Sequence, residues 1–292
     1  MFNGILLINK PKNITSSDAL NLIKKKFSLK KIGHAGTLDA FASGVLIAGV
    51  NEGTKVLPFF MEREKVYEAI FVLGKTTDTL DEMGEIFDIT NDVPPVSKIN
   101  DVLKEFIGDI MQTPPDFSAV KVKGKRASDL VRSGNKVELL PRKVHIHNIT
   151  VEKYLCSELY LKINCSKGTY IRALARDVGE RLGCGAYVKR LVRTEISPYT
   201  LAITTDLEDV LKTDDLEGLL VPIEKSLPFL DKIYVDENEK DSLKKGRFVE
   251  RNEKIKGGIA LALFENRAVG IVEVSKRTAE CVIIKPVRII NY

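Results

Sequence analysis

Apolar positions follow two rhythms along the chain. Short continuous or alternating runs predict strands at 4–9, 44–50, 67–74, about 143–154, 158–165 and Ala186–Ile196. The first of these stops at Lys10-Pro11. Helical spacing recurs at Ala19, Leu20, Ile23 and Phe27 behind the cap Thr15-Ser16-Ser17-Asp18, and again in 96–106 through Ile99, Val102, Leu103 and Phe106. The clearest helix is 169–182, with Ile171, Leu174, Ala175, Val178 and Leu182 inward and Arg172, Arg176, Asp177 and Arg181 turned elsewhere. Between 76 and 95 lies an acidic, turn-rich connection. Residues 112–126 read as a basic hairpin entering the short helix Ala127–Arg132, an insertion projecting from the body. Strands and helices interleave without a βαβ rhythm, which predicts an α+β class.

Past residue 200 the texture changes. A short helix at 206–212 and an acidic stretch marked by Pro222 and Pro228 read as a linker. Residues 233–292 then form a compact unit with one helix near 237–245 and short alternating strands, 269–274 and 279–284 among them, as in a small β-barrel.

A chain of 292 residues has room for two domains, and 44% hydrophobic with 29% charged residues is a globular composition. No apolar stretch reaches the roughly 20 residues that span a bilayer. The N-terminus lacks a basic segment and cleavage site, which predicts a cytoplasmic protein. Cys156, Cys165, Cys184 and Cys281 form no CxxC pair, and no carboxylate or cysteine cluster joins His145 and His147, so no metal site is expected. The net charge of +5 is unevenly spread. Residues 1–31 hold seven lysines against one acid, 121–147 hold eight basic residues against two acids, and 202–241 hold twelve acids against four lysines. Basic surface so concentrated attracts phosphate backbones, making nucleic acid a reasonable partner.

Three places carry candidate chemistry. Asp39 stands in Gly33-His34-Ala35-Gly36-Thr37-Leu38-Asp39-Ala40-Phe41-Ala42-Ser43-Gly44-Val45-Leu46. It is either a turn or cap residue, or a carboxylate presented to a large substrate by a loop that lets another backbone approach. Cys165-Ser166-Lys167-Gly168-Thr169-Tyr170-Ile171-Arg172 sits at a strand-to-helix junction. Arg172 and Tyr170 are there either a surface cation and a core ring, or a fixed cation and an aromatic hydroxyl facing a site. Tyr67, in Lys65-Val66-Tyr67-Glu68-Ala69, is either strand packing or a ring that stacks on an extruded base. Nucleotide-cradling glycine motifs are absent.

Taken together, these motifs resemble those of the TruB family of tRNA pseudouridine synthases. The Asp39 run is similar to the family's catalytic motif, and Asn9-Lys10-Pro11 with Ser16 to its N-terminal motif. The runs 65–69 and 165–172 are similar to two further core motifs, and Leu191-Val192-Arg193-Thr194 to its leucine-arginine strand. The resemblance implies a catalytic domain over 1–231, with a mixed, largely antiparallel sheet and flanking helices (the pseudouridine synthase fold). It also implies a small barrel-like PUA domain over 232–292. The implied reaction converts uridine 55 in the tRNA T-loop to pseudouridine, without cofactor or metal, in a monomer that binds the T-arm.

In that implied scheme Asp39 is the nucleophile, Arg172 pairs with it, Tyr67 stacks on the flipped uracil, and Tyr170 positions it or handles a proton. His34 displaces the target nucleotide, Leu191 walls the pocket and Lys10 contacts substrate. The insertion at about 121–147 clasps RNA through Lys121, Lys123, Lys125, Arg126 and Arg132. Three positions depart from the family pattern: Ala40 stands where proline is common, Phe117 where tyrosine is usual, and Ala127-Ser128-Asp129 where a tyrosine–glutamate pattern is usual. A different class of function, RNA binding or folding with catalysis secondary, predicts that Asp39 is dispensable.

Overall fold

Two β-sheets frame the computed structural model, which describes residues 2–90, 92–118, 120–122, 124–252, 255, 257–277 and 281–291. The chain opens with β1 (Gly4–Lys10), α1 (Ser16–Lys26), β2 (Ile32–His34) and β3 (Ser43–Val50). Helix α2 (Leu57–Met61) leads into β4 (Lys65–Leu73), and the hairpin of β5 (Lys75–Thr77) and β6 (Ile86–Ile89) precedes α3 (Val96–Glu105). Next come β7 (Gly108–Gln112), the two-residue strands β8 (Lys121–Val122) and β9 (Lys125–Arg126), and α4 (Ala127–Arg132). The long β10 (Arg142–Leu155), β11 (Glu158–Cys165), α5 (Ile171–Leu182) and β12 (Ala186–Ile196) follow. Short pieces β13 (Tyr199–Thr200), β14 (Thr205–Asp206), α6 (Leu207–Lys212), β15 (Leu220–Val221) and α7 (Ile223–Ser226) lead to the second sheet. That sheet contains β16 (Asp231–Tyr234), β17 (Val249–Arg251), β18 (Ile259–Phe264), β19 (Arg267–Arg277) and β20 (Val282–Ile289), with α8 (Glu237–Lys244) inserted after β16.

The first sheet runs β14-β1-β3-β12-β4-β11-β10-β7 and is mostly antiparallel, with parallel pairs at β1/β14 and β3/β12. Period-two alternation on β4 turns Lys65, Tyr67, Ala69 and Phe71 to one face and Val66, Glu68 and Ile70 to the other. On the first face lies the core, where Phe71, Leu161 and Ile163 meet Ile99 and Val102 of α3 and Leu174, Ala175 and Val178 of α5. Each fully buried side chain of this size contributes about 1.5–3 kcal/mol. Helix α1 starts where Thr15 Oγ1 accepts the Asp18 N–H at 3.0 Å and ends on Lys24, Lys25 and Lys26, which suit its negative C-terminus. Helix α5 stops at Gly183, in the left-handed conformation that glycine takes without a Cβ penalty.

Three expectations are revised. The stretch around Pro222 is no linker: β14 and β15 both pair with β1, and Leu216, Ile223 and Leu227 are fully buried. Its acids lie on the solvent side of a segment whose apolar residues are core. The turn-rich connection at 76–95 holds the β5–β6 hairpin, and residues 142–147 of the presumed insertion are sheet, paired through β10 with β7. Apolar packing also joins the two sheets, with Ile5, Leu7 and Phe60 clustering with Leu261, Ile271 and Ile290. Ala279, the expected start of the last strand, lies outside the described residues.

Candidate active site

The loop between β2 and β3 carries Asp39 and is held from several directions. Ser16 Oγ donates to Leu38 O and accepts from the Leu38 N–H, both at 2.9 Å. The Asn13 N–H donates to Ala40 O at 2.7 Å, and Lys10 Nζ to Ala42 O at 2.7 Å. From β12, Arg193 Nη2 reaches Gly36 O at 3.2 Å, Nη1 reaches Thr37 O at 3.4 Å, and Nε reaches Val45 O at 2.8 Å. The backbones approach closely enough that a Cβ on Gly44, at φ +113°, would stand 2.2 Å from Arg193 O. These ties fix the loop without the proline that Ala40 replaces.

Arg172, in the first turn of α5, meets this loop. Its Nε donates to Asp39 Oδ2 at 2.8 Å, Nη1 to Thr79 O at 2.8 Å and Nη2 to Phe117 O at 2.9 Å. Asp81 Oδ2 lies 3.5 Å from Nη1, so the guanidinium is bracketed by two carboxylates. Arg172 is 4% exposed and Asp39 35%, which leaves the cation rigid and the carboxylate open to a cleft. Asp81 is buried and takes bonds from Thr79 Oγ1 and the Met83 N–H. Burial raises its pKa, opposed by the Thr79 hydroxyl and the Arg172 charge.

The cleft, of about 490 Å³, is lined by Asp39, Lys65, Tyr67, Tyr170, Leu191 and Arg193 among others. Burial pushes the Tyr67 phenol up, with the neighbouring Arg193 charge opposing it. Burial and then the Asp39 charge raise Tyr170. Gln112 clamps the Tyr170 backbone, accepting from its N–H at 2.8 Å and donating to its O at 3.1 Å. Such an arrangement holds one carboxylate beside an aromatic wall, with its partner cation already desolvated and aligned.

Residues 24–171 match the model of the TruB family pseudouridylate synthase N-terminal domain, and 172–228 match that of the tRNA pseudouridylate synthase B C-terminal domain. The chain belongs to the TruB family. A relative in Clostridium tetani, tRNA pseudouridine synthase B, is 37% identical over 280 residues, covering 94% of this chain and 96% of its own. The protein of the same name in Borreliella burgdorferi (strain B31) is 40% identical over 275 residues, covering 94% and 95%. Among solved structures, an H/ACA RNP bound to a substrate RNA containing 2'-deoxyuridine shares the fold, with TM-score 0.76 and 21% identity over 99% of this chain and 85% of that one. A Cbf5-Nop10-Gar1 complex superposes at TM-score 0.72 and 25% identity, covering 96% and 83%. As a member of this family the chain is an isomerase that converts uridine in tRNA to pseudouridine.

Of the residues singled out in the sequence, Asp39, Tyr67, Tyr170, Arg172 and Leu191 converge in or beside this cleft. Lys10 does not face it. It is fully buried, its ammonium donates to Pro11 O, Ile14 O and Ala42 O, and burial lowers its pKa to about 8. Lys10 therefore supports the loop from beneath. His34 lies on β2 opposite Ala48, outside the cleft lining. Lys121, Lys125 and Arg132 are exposed on the insertion, while Lys123 and the Arg126 side chain lie outside the described residues.

Asp81 and the clamping role of Arg193 were not legible in the sequence. Asp81 hides in a run of turn-forming acids, and Arg193 shares its strand with Lys189 and Arg190, which are exposed. The hints were Arg193's place in the leucine-arginine run and its position two residues after Leu191, on the same face of β12. His145 and His147 do each meet a carboxylate, Asp109 at 2.7 Å and Glu64 at 3.4 Å. Among the described residues no group of three or more such side chains is arranged to hold a metal.

Proposed function

We propose that this enzyme isomerises the T-loop uridine at position 55 of tRNA, with Asp39 as the nucleophile. The observation that carries the reading is the 2.8 Å pairing of Asp39 with an Arg172 that is itself fixed on two carbonyl oxygens. A nucleophile held this way is aimed before substrate arrives. The target base leaves its stack and enters the cleft, where Tyr67 stacks on it. Base–aromatic stacking is worth about 1–3 kcal/mol, comparable to the few kcal/mol that extrusion costs. Asp39 attacks the base at C6 or the ribose at C1'. The C1'–N1 bond breaks, uracil turns, C5 bonds to C1', the bond from Asp39 to C1' or C6 breaks to restore the carboxylate, and the C5 proton is lost as N1 gains one.

In this reading Tyr170 positions the base or handles a proton, Leu191 walls the pocket, and His34 fills the space the nucleotide vacates. The exposed lysines of the insertion clasp the T-arm, and residues 232–292 act as a PUA domain holding another part of the tRNA. The reaction needs no cofactor.

The test uses transfer RNA tritiated at uracil C5, incubated with wild type and with Asp39→Asn. Tritium release is expected to vanish in the variant while RNA binding is kept. Undiminished release would overturn the role of Asp39, and would favour an RNA-binding protein whose catalysis lies elsewhere. Mapping the product to a position other than 55 would overturn the site.

A further inference from the structure

Four cations are buried around the cleft, and among the described residues Arg172 alone of them forms an ion pair with a carboxylate; Lys10, Lys65 and Arg193 do not. Buried charge without a counter-charge is expensive, so something must offset it. Lys10 spends all three ammonium protons on carbonyls, as described above. Arg193 spends three N–H groups on carbonyls and sets its charge beside the Tyr67 phenol. Lys65 differs. It is 7% exposed, lines the cleft, and among the described residues donates only to Met61 O at 2.7 Å and Arg63 O at 2.5 Å. One ammonium proton is left over.

The other lysines of the rim are already matched. Lys167 pairs with Glu62 and Lys143 with Asp109, and Arg142 is exposed to water. Burial, reinforced by the Arg193 charge and only partly opposed by Cys165 and Glu62, drives the Lys65 pKa down to about 8. Strand β4 fixes where that charge stands. Lys65 and Tyr67 are two residues apart on one face, roughly 7 Å along the strand, comparable to the span from a nucleobase to its own phosphate.

From these observations we infer that Lys65 binds a phosphate of the nucleotide whose base enters the cleft, supplying the counter-charge its own site lacks. The inference rests on the proposed reading of the cleft as the uridine site. The phosphate completes the third ammonium bond and locks the ribose while Tyr67 holds the base. Lys65 is thus a substrate-positioning residue that works only when RNA is bound.

The test is a T-arm stem-loop in which the phosphate on either side of the target uridine is replaced by an uncharged methylphosphonate. With wild type, one of the two replacements is expected to raise KM about tenfold, the loss of one charge-assisted bond. Lys65→Met should raise KM on the unmodified RNA by a similar factor, and the sensitive replacement should then cost nothing further. Lys65→Arg, which keeps the charge, should retain that sensitivity. Penalties that multiply in the combination overturn the inference, as does a wild type indifferent to both replacements, an outcome that stands even if Lys65→Met does not fold. Tritium release by wild type from unmodified RNA is the control for the reading itself. Were it absent, thermal melting in sulfate would still test the anion site, wild type gaining stability that Lys65→Met does not.

Discussion

The Asp39 loop and the insertion after β7 are both loop-rich segments of small and charged residues, and they are built in opposite ways. Between Gly36 and Val45 the loop has carbonyls tied by Arg193, Ser16, Asn13 and Lys10, side chains and backbone drawn from α1, β12 and the end of β1. The insertion is tied mainly where it leaves the sheet, through Gln112 to Tyr170, Thr113 O to Arg176 and Phe117 O to Arg172. Beyond that it has a small cluster of Val120, Ala127 and Leu139 packed on Tyr170, two-residue strands and a six-residue helix. Chemistry at a single carbon needs sub-ångström placement, whereas attraction of a phosphate backbone needs only charge nearby. The fold is densely tied around Asp39 and lightly anchored along the insertion.

The largest break in this contrast is Asp39→Asn, expected to lower tritium release by about a thousandfold or more in single-turnover assays. Arg172→Met removes the shared anchor of both regions and should lower kcat by about 10²–10³, with circular dichroism unchanged. Gly44→Ala forces a Cβ against Arg193 O at a positive φ, and urea denaturation should report a loss of about 2–4 kcal/mol. On the other side, Lys121→Ala, Lys125→Ala and Arg132→Ala together should weaken tRNA binding about tenfold. The slope of log affinity against log salt should flatten by up to ~0.9 for each phosphate no longer neutralised. Their melting temperature should not move, because these side chains are solvated.

The smallest effect concerns pH. Lys10 has its pKa lowered from 10.5 to about 8 in the folded protein. Between those values the unfolded chain binds more protons, so the contribution of Lys10 to stability rises as pH climbs through that window. Urea midpoints of wild type and Lys10→Met compared from pH 7.5 to 9.5 should therefore move apart in favour of wild type. A difference independent of pH would mean that the buried amine carries no charge penalty.

The element pattern was largely legible because burial on one face imposes a period that survives in the sequence. Thr15 as the cap of α1 and the inward row of α5 are found where the spacing puts them. Periodicity alone left Arg172 open as a solvated cation, whereas the family resemblance paired it with Asp39, and the structure buries it there. Periodicity fails at the stretch around Pro222, its acids masking Leu216, Ile223 and Leu227.

What the sequence determined alone was the order of the principal strands and helices, the small-residue loop around a single carboxylate, and the ordered motifs that place the chain in its family. The tertiary structure decided which charges were neutralised. Asp39 and Arg172 are 133 residues apart, and Arg193 lies 157 from Gly36, so no local rule joins them. Only the parallel pairing of β3 with β12 and the packing of α5 on the sheet bring them together. A charge's worth depends on the dielectric and partners around it, and those are set by the folded neighbourhood rather than by residue type.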